Sequence, residues 1–220
     1  DAEKVCFSQE DYIATLNEVE IEHTRKEQTL NTRETTDFRS LTCGISWMGM
    51  TSGLCQAASS LYQSMLPNPT VADARRLNEF LVQLRDSYVP VTFPRWFFES
   101  RPAGVGLRWV SFSDSSFANR PGHYPQLCCN IYLAWDLGED LEGPMFEVST
   151  YSKKSDRVAK SSAAGETISL VRATERCYRQ QEWWYEFHAG VLEPRQVLAA
   201  PYSAFLPVDV VVDALDAYAY

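Results

Sequence analysis

The chain lacks any apolar run of the roughly 18 residues needed to cross a bilayer, so no transmembrane helix is expected. It also lacks a Cys-x-x-Cys pair or any zinc-type spacing. Cys6, Cys43, Cys55, Cys128, Cys129 and Cys177 stand apart, except the adjacent pair, which a strand would point to opposite faces. Free buried thiols in a reducing, intracellular compartment are the expectation. Histidine is scarce: His23, His123 and His188 lie far from one another in sequence, which disfavours a histidine-based metal centre or a Cys-His nucleophile. Basic residues are the minority, 20 Lys and Arg against 29 Asp and Glu, for a net charge of −9. Grip on a phosphate backbone comes largely from Lys and Arg through counterion release, so this balance disfavours tight unassisted binding of nucleic acid. No repeat or low-complexity tract is evident. Asp1-Ala2-Glu3-Lys4 has neither the look of a secretory signal nor that of an Arg-rich transit peptide, and reads as a cut or processed end.

What is present is a globular composition: 220 residues with 45% hydrophobic content can bury a sizeable core. The front of the chain, residues 1–90, reads as helical. Ser8 with Asp11 resembles a capping box opening a short helix to about Val19, and the polar stretch Glu20 to Thr36 reads as a loop. Asp37 to Met65 reads as a helix broken near Gly49 to Gly53. Thr70 with Asp73 caps another, on which Ala74, Leu77, Leu81 and Leu84 form one stripe. Pro90 and Pro94 then mark a change of character. Residues 91–220 read as α/β, with strands at Leu107 to Ser113, Leu127 to Trp135 and Met145 to Ser152. A helix from Ser161 or Ser162 to about Gln180 follows, then a second around Gln181 to Ala189, and a last strand at Val208 to Val212.

Three acidic residues occupy notable places on this pattern. Asp114 sits where the first strand gives way to a turn-like run. Glu166 shares a helical stripe with Leu170, Ala173 and Cys177, and so faces the core. Asp213 directly follows Val210-Val211-Val212. A carboxylate taken out of water is costly unless it is paired or bound to metal, and three of them suggest a cation. The loop Asp136 to Gly143 could also hold an ion, although turn residues between two strands need none.

The ordered segments Ser113-Asp114-Ser115-Ser116-Phe117-Ala118-Asn119-Arg120, Tyr151-Ser152-Lys153-Lys154, Lys160-Ser161-Ser162-Ala163-Ala164-Gly165-Glu166 and Val211-Val212-Asp213-Ala214 resemble the ribonuclease H domain of copia-type (Ty1/copia) retrotransposon polyproteins. Upstream, Phe7-Ser8-Gln9-Glu10-Asp11-Tyr12-Ile13, Phe38-Arg39-Ser40-Leu41-Thr42 and Asn68-Pro69-Thr70 are similar to the end of the reverse transcriptase in that family. The resemblance spans most of the chain. It implies a ribonuclease H-like mixed β-sheet with flanking helices, preceded by a helical connection segment, and two-metal hydrolysis of the RNA strand of an RNA/DNA hybrid. Asp114 is expected to bridge two Mg²⁺ or Mn²⁺ ions, Glu166 to hold one of them and help position the attacking water, and Asp213 to hold the other. Carboxylate oxygens suit such hard cations.

The basic run Lys153, Lys154, Arg157 and Lys160 could touch a phosphate strand, or be a solvated loop. Some positions depart from the family: Thr51-Ser52-Gly53-Leu54 replaces Thr-Arg-Pro-Asp, and the chain stops at Tyr220, before a helix that usually adds a fourth ligand. These departures and the acidity keep a second expectation open, a catalytically silent, co-opted ribonuclease H-like scaffold in a larger protein assembly.

Overall fold

A computed structural model describes residues 4–120, 124–138, 143–190 and 205–212. The chain divides into two compact units, Asp1–Pro94 and Arg95–Tyr220. In the first, β1 (Lys4–Phe7) is followed by α1 (Glu10–Thr15), α2 (Thr32–Met48), α3 (Gly53–Met65), α4 (Val71–Ser87) and β2 (Val91–Pro94). The expected break between α2 and α3 is there, and so is the α4 stripe: Ala74, Leu77, Leu81 and Leu84 are all buried. They pack with Phe38, Leu41, Ile45 and Met48 of α2 and with Cys55 and Tyr62 of α3. Thr70 and Asp73 close the expected capping box.

Two readings of this unit need correction. Helix α1 is capped by Gln9 without a side-chain bond and stops at Thr15, so Ser8 and Asp11 form no capping box. The supposed loop ends early, because Asn31 and Glu34 make a full capping box that starts α2 at Thr32. Glu34 also accepts the Glu22 N–H at 2.8 Å, so one buried carboxylate pins both the helix start and the irregular run before it. Asn78 on α4 holds the same run further back, exchanging bonds of 2.8 and 2.9 Å with the backbone of Val19. The short antiparallel pair β1 and β2 was not anticipated.

The second unit is a mixed α/β layer. It contains α5 (Arg95–Glu99), β3 (Gly106–Arg120), β4 (Tyr124–Asp136), β5 (Met145–Lys154), α6 (Ser162–Ala189) and β6 (Val208–Val212). Strand order is β5-β4-β3-β6; β3 is antiparallel to β4, β4 to β5, and β3 is parallel to β6. A parallel neighbour needs a crossover, and α6 lies in the chain between β5 and β6 to provide it.

Side chains alternate faces along a strand. Trp109, Ser111 and Ser113 of β3 turn towards α6, as do Val208 and Val210 of β6, and Trp109 meets Trp184 of α6 edge-on at 5.9 Å. Small side chains on both surfaces, Ser111 and Ser113 below and Gly165, Ser169 and Ala173 above, let the helix lie close. Towards one end, Phe97 of α5 packs against Phe146 at 4.7 Å and its carbonyl accepts the Trp135 indole N–H.

The opposite face is more polar. Arg108 reaches from β3 to Asp136 of β4 and, at 2.8 Å, to Asp209 of β6. Phe112 and Tyr132 meet edge-on at 5.7 Å, and the Thr150 hydroxyl donates to Asn130. Helix α6 is one continuous element of 28 residues, where two helices were expected. Gln181, at the supposed break, is buried and donates its amide to the Leu206 carbonyl.

Candidate functional site

Two of the three carboxylates singled out in the sequence fall within described residues: Asp114 lies on β3, and Glu166 reaches the next β3 residue, Ser115, from α6, on the other face of the sheet. Ser161 caps α6, its hydroxyl accepting the Ala164 N–H at 3.1 Å. That fixes the first turn, and the next residues along the sheet-facing side are Gly165 and Glu166. Glu166 is buried, as its stripe implied, with 7% of its surface exposed. Its Oε1 accepts two hydrogen bonds from Ser115, the backbone N–H at 3.2 Å and the hydroxyl at 2.9 Å.

Strand β6 is in register with β3 only from Trp109 to Ser113, whereas β4 accompanies β3 much further. Beyond Ser113, then, the second edge of β3 has no partner strand among the described residues. The Glu166 carboxylate accepts the Ser115 N–H there, in place of a strand neighbour. One turn further along α6, the Ser169 hydroxyl lies 2.7 Å from the Asp114 carbonyl and 3.1 Å from that of Cys128, shared between the two. Helix α6 is bolted to β3 at residues 114 and 115.

Close approach demands the glycine at position 165. A Cβ there would stand 2.7 Å from the Ser115 hydroxyl oxygen, well inside any normal contact.

Asp114 departs from the expectation that each carboxylate is withdrawn from water. Its backbone pairs with Cys128, and its side chain is exposed, on the face opposite the one Ser113 and Ser115 present to α6. Burial pushes the Cys128 thiol above the usual thiol range, and the Asp114 and Glu147 carboxylates push it further. Burial likewise drives Cys129 up to about 12. Neither thiol is a nucleophile near neutral pH. All six cysteines are free; Cys55, Cys129 and Cys177 are buried as expected, but Cys6 and Cys43 are exposed.

Asp213 lies outside the described residues, whose last strand ends with Val212. Among the described residues, no group of three or more His, Cys, Asp or Glu side chains is placed to hold a metal ion. Asp136, in the loop first considered as a cation site, is engaged by Arg108, and residues 139–142 are outside the described set.

The basic run closes the far end of the same region. Lys153 and Lys154 end β5, with the Lys154 ammonium 4.1 Å from the centre of the Tyr124 ring, and Arg157 and Lys160 are exposed in the turn that leads to Ser161. A cavity of about 250 Å³ opens beside this turn, between Tyr151 and the Ile168, Val171 and Arg172 side of α6. Arg172 on its rim is already engaged by Glu175 at 2.9 Å.

Ser115 and Ser169 are the residues that sequence reading missed. The one available signal was a serine directly after the strand acid, and it read as a turn. No protein-family model matches the chain, and no curated protein matches it in sequence.

Proposed function

We propose that this chain is a ribonuclease H-like domain of retroelement origin that hydrolyses the RNA strand of RNA/DNA hybrids at a carboxylate-held pair of divalent cations. The observation that supports the reading best is the delivery of Glu166 by α6 to the end of the β3–β6 ladder, beyond which two further acidic residues follow in sequence. Ser113 and Val212 form the last described pair between parallel strands β3 and β6, Asp114 follows the one and Asp213 follows the other in sequence, and Glu166 is delivered by α6 to the next residue, Ser115. The strand order β5-β4-β3-β6, with one parallel pair and a crossover helix, also supports a ribonuclease H-like sheet.

The donor set fits such ions: carboxylate oxygens are hard ligands, and Mg²⁺ and Mn²⁺ prefer them. When bound, the two ions stabilise the attacking and leaving oxygens of an in-line displacement. Asp114, Glu166 and Asp213 would hold the ions, and Glu166, held by Ser115, would also help position the attacking water. Lys153, Lys154, Arg157 and Lys160 take the phosphate backbone beside the Glu166 helix. Their small number in a chain of net charge −9 makes the grip modest.

The test is incubation of the purified chain with a labelled RNA/DNA hybrid and Mg²⁺ or Mn²⁺. Cleavage of the RNA strand is expected, and Asp114→Asn is expected to abolish it while the melting curve stays in place. Undiminished cation-dependent cutting by that variant removes the assignment. A folded wild-type chain that never cuts leaves the second reading, a silent scaffold subunit of a larger assembly, which the excess of acidic residues favours.

A further inference from the structure

We propose that the cavity beside the end of β5 is a binding site for a small organic monoanion, a carboxylate on a compact apolar body. The inference stands apart from the cation reading and uses none of its three carboxylates. About 250 Å³ of space lies there, room for roughly eight waters at about 30 Å³ each. A molecule with about that many heavy atoms fits it, and a nucleotide is too large.

The fold builds the walls from three directions. Ile168, Val171, Arg172 and Glu175 follow i, i+3, i+4, i+7 along one flank of α6. Tyr151 and Leu127 come from the sheet: Tyr151 pairs with Cys129 on the edge strand β5, and Leu127 lies two residues from Cys129 on the same face. The turn after β5 supplies the third side and is held in shape. There the Ser155 N–H donates to the Pro125 carbonyl at 2.8 Å, and the Ser155 hydroxyl accepts the Arg157 N–H at 3.0 Å.

Cations outnumber acids around this space, in a chain where acids prevail overall. Lys154, Arg157 and Arg172 line it against Asp156 and Glu175, an excess of one. Arg172 is engaged by Glu175 at 2.9 Å and faces Asp156 at 3.9 Å, whereas Arg157 has no ion-pair partner among the described residues. Behind the wall, the Arg176 guanidinium stands 4.8 Å from the centre of the Tyr151 ring, and its buried Nε–H finds no acceptor among the described residues. Burial raises the Tyr151 pKa against the pull of Arg172 and Arg176, so the phenol keeps its proton and remains a donor at neutral pH. One excess charge suits a carboxylate, while a phosphate dianion would also meet Asp156 and Glu175. Leu127, Ile168 and Val171 offer the rest of the ligand an apolar surface.

The experiment is NMR titration of the full, isotope-labelled chain with benzoate, benzyl alcohol and inorganic phosphate. Benzoate is expected to bind saturably with a millimolar Kd, shifting the amides of residues 154–157 and 168–175. Benzyl alcohol, which lacks the charge, and phosphate, which lacks the apolar body, should each bind about tenfold more weakly. Arg157, Val171 and Glu175 are exposed, so substitutions there leave the fold in place, as the remaining amide signals would verify. Arg157→Ala should weaken benzoate binding about threefold, and Glu175→Gln, which releases Arg172 and removes an acid, should tighten it about threefold. Val171→Glu sets a carboxylate among the lining residues and should abolish it.

Absence of saturable benzoate shifts at these residues overturns the proposal. Phosphate bound as tightly as benzoate also overturns it, because the cavity then reads charge alone. Equal binding of benzyl alcohol removes the anion from the account, and a Glu175→Gln variant no tighter than wild type removes its charge balance. Hybrid cleavage enters none of these outcomes, so the two readings fail separately.

Discussion

Glu34 and Glu166 are the two carboxylates buried among the described residues, and they are buried for different reasons. Glu34 closes a capping box and holds a loop, with bonds of 2.8 Å from both Asn31 and Glu22 backbone N–H groups. Burial alone would raise its pKa. The two N–H groups and the His23 charge outweigh that, and its carboxyl sits below the ordinary value of 4.5. A depressed folded value means that the ionised form stabilises the fold. That contribution is complete above the unfolded value, near pH 4.5, and is lost as pH falls through the lower folded one. Glu34→Ala should therefore cost about 3 kcal/mol at neutral pH, by loss of bonds to a charged group, and should flatten the acid limb of stability measured by urea unfolding. Glu166 has no such capping duty. Its two partners lie on a strand 51 residues away in sequence, the mark of a side chain placed for the fold's purpose and not for its own helix.

At the scale of elements, Arg108 is the joint that ties three strands, since β4 and β6 each send it a carboxylate. Only 14% of its side chain is exposed, against 29% for Asp136 and 40% for Asp209. Arg108→Ala leaves those two acids facing one another across β3. A loss of about 2 kcal/mol is expected in chemical denaturation, less than for a fully buried pair because water screens both partners. The cap of α4 gives a smaller effect: Thr70→Ala should cost about 1 kcal/mol.

These elements also show what a sequence can reveal. Local chemistry was legible wherever it agreed with the final packing, as in Thr70 and Asp73 with the α4 stripe, the break before Gly53, and the β-branched run Val208 to Val212. It misled where tertiary contacts decided the outcome. The Asn31 and Glu34 box was hidden in a polar stretch, where Glu34 also accepts the Glu22 N–H, a contact that no local pattern signals. Arg179-Gln180-Gln181 looked like a helix end until Leu206 supplied a buried partner for Gln181. The serines and asparagine after Ser113 resembled a turn, yet β3 continues to Arg120 because β4 pairs with it. For the site, Glu166 was readable from its stripe, whereas Asp114 proved exposed and Ser115 could be found only from the pairing of helix with strand.

For the molecule as a whole, an excess of negative charge sets the terms of any encounter with nucleic acid. On the proposed reading, with four cations in the run from Lys153 to Lys160, the logarithm of hybrid affinity should fall with the logarithm of salt at a slope no steeper than about −4, and Lys160→Ala should reduce that slope by about 1. Fluorescence titration at several salt concentrations measures both.

The parallel pairing of β3 with β6 has a temporal consequence. Trp109 and Val208 are partners separated by 99 positions, 208 less 109, while the β3, β4 and β5 hairpins close over short intervals. Distant partners must wait for the intervening chain, and β6 is the last described strand to leave the ribosome. A nascent chain can thus complete its hairpins and its long helix early while the β3 edge that β6 will pair stays open until translation has passed Val212.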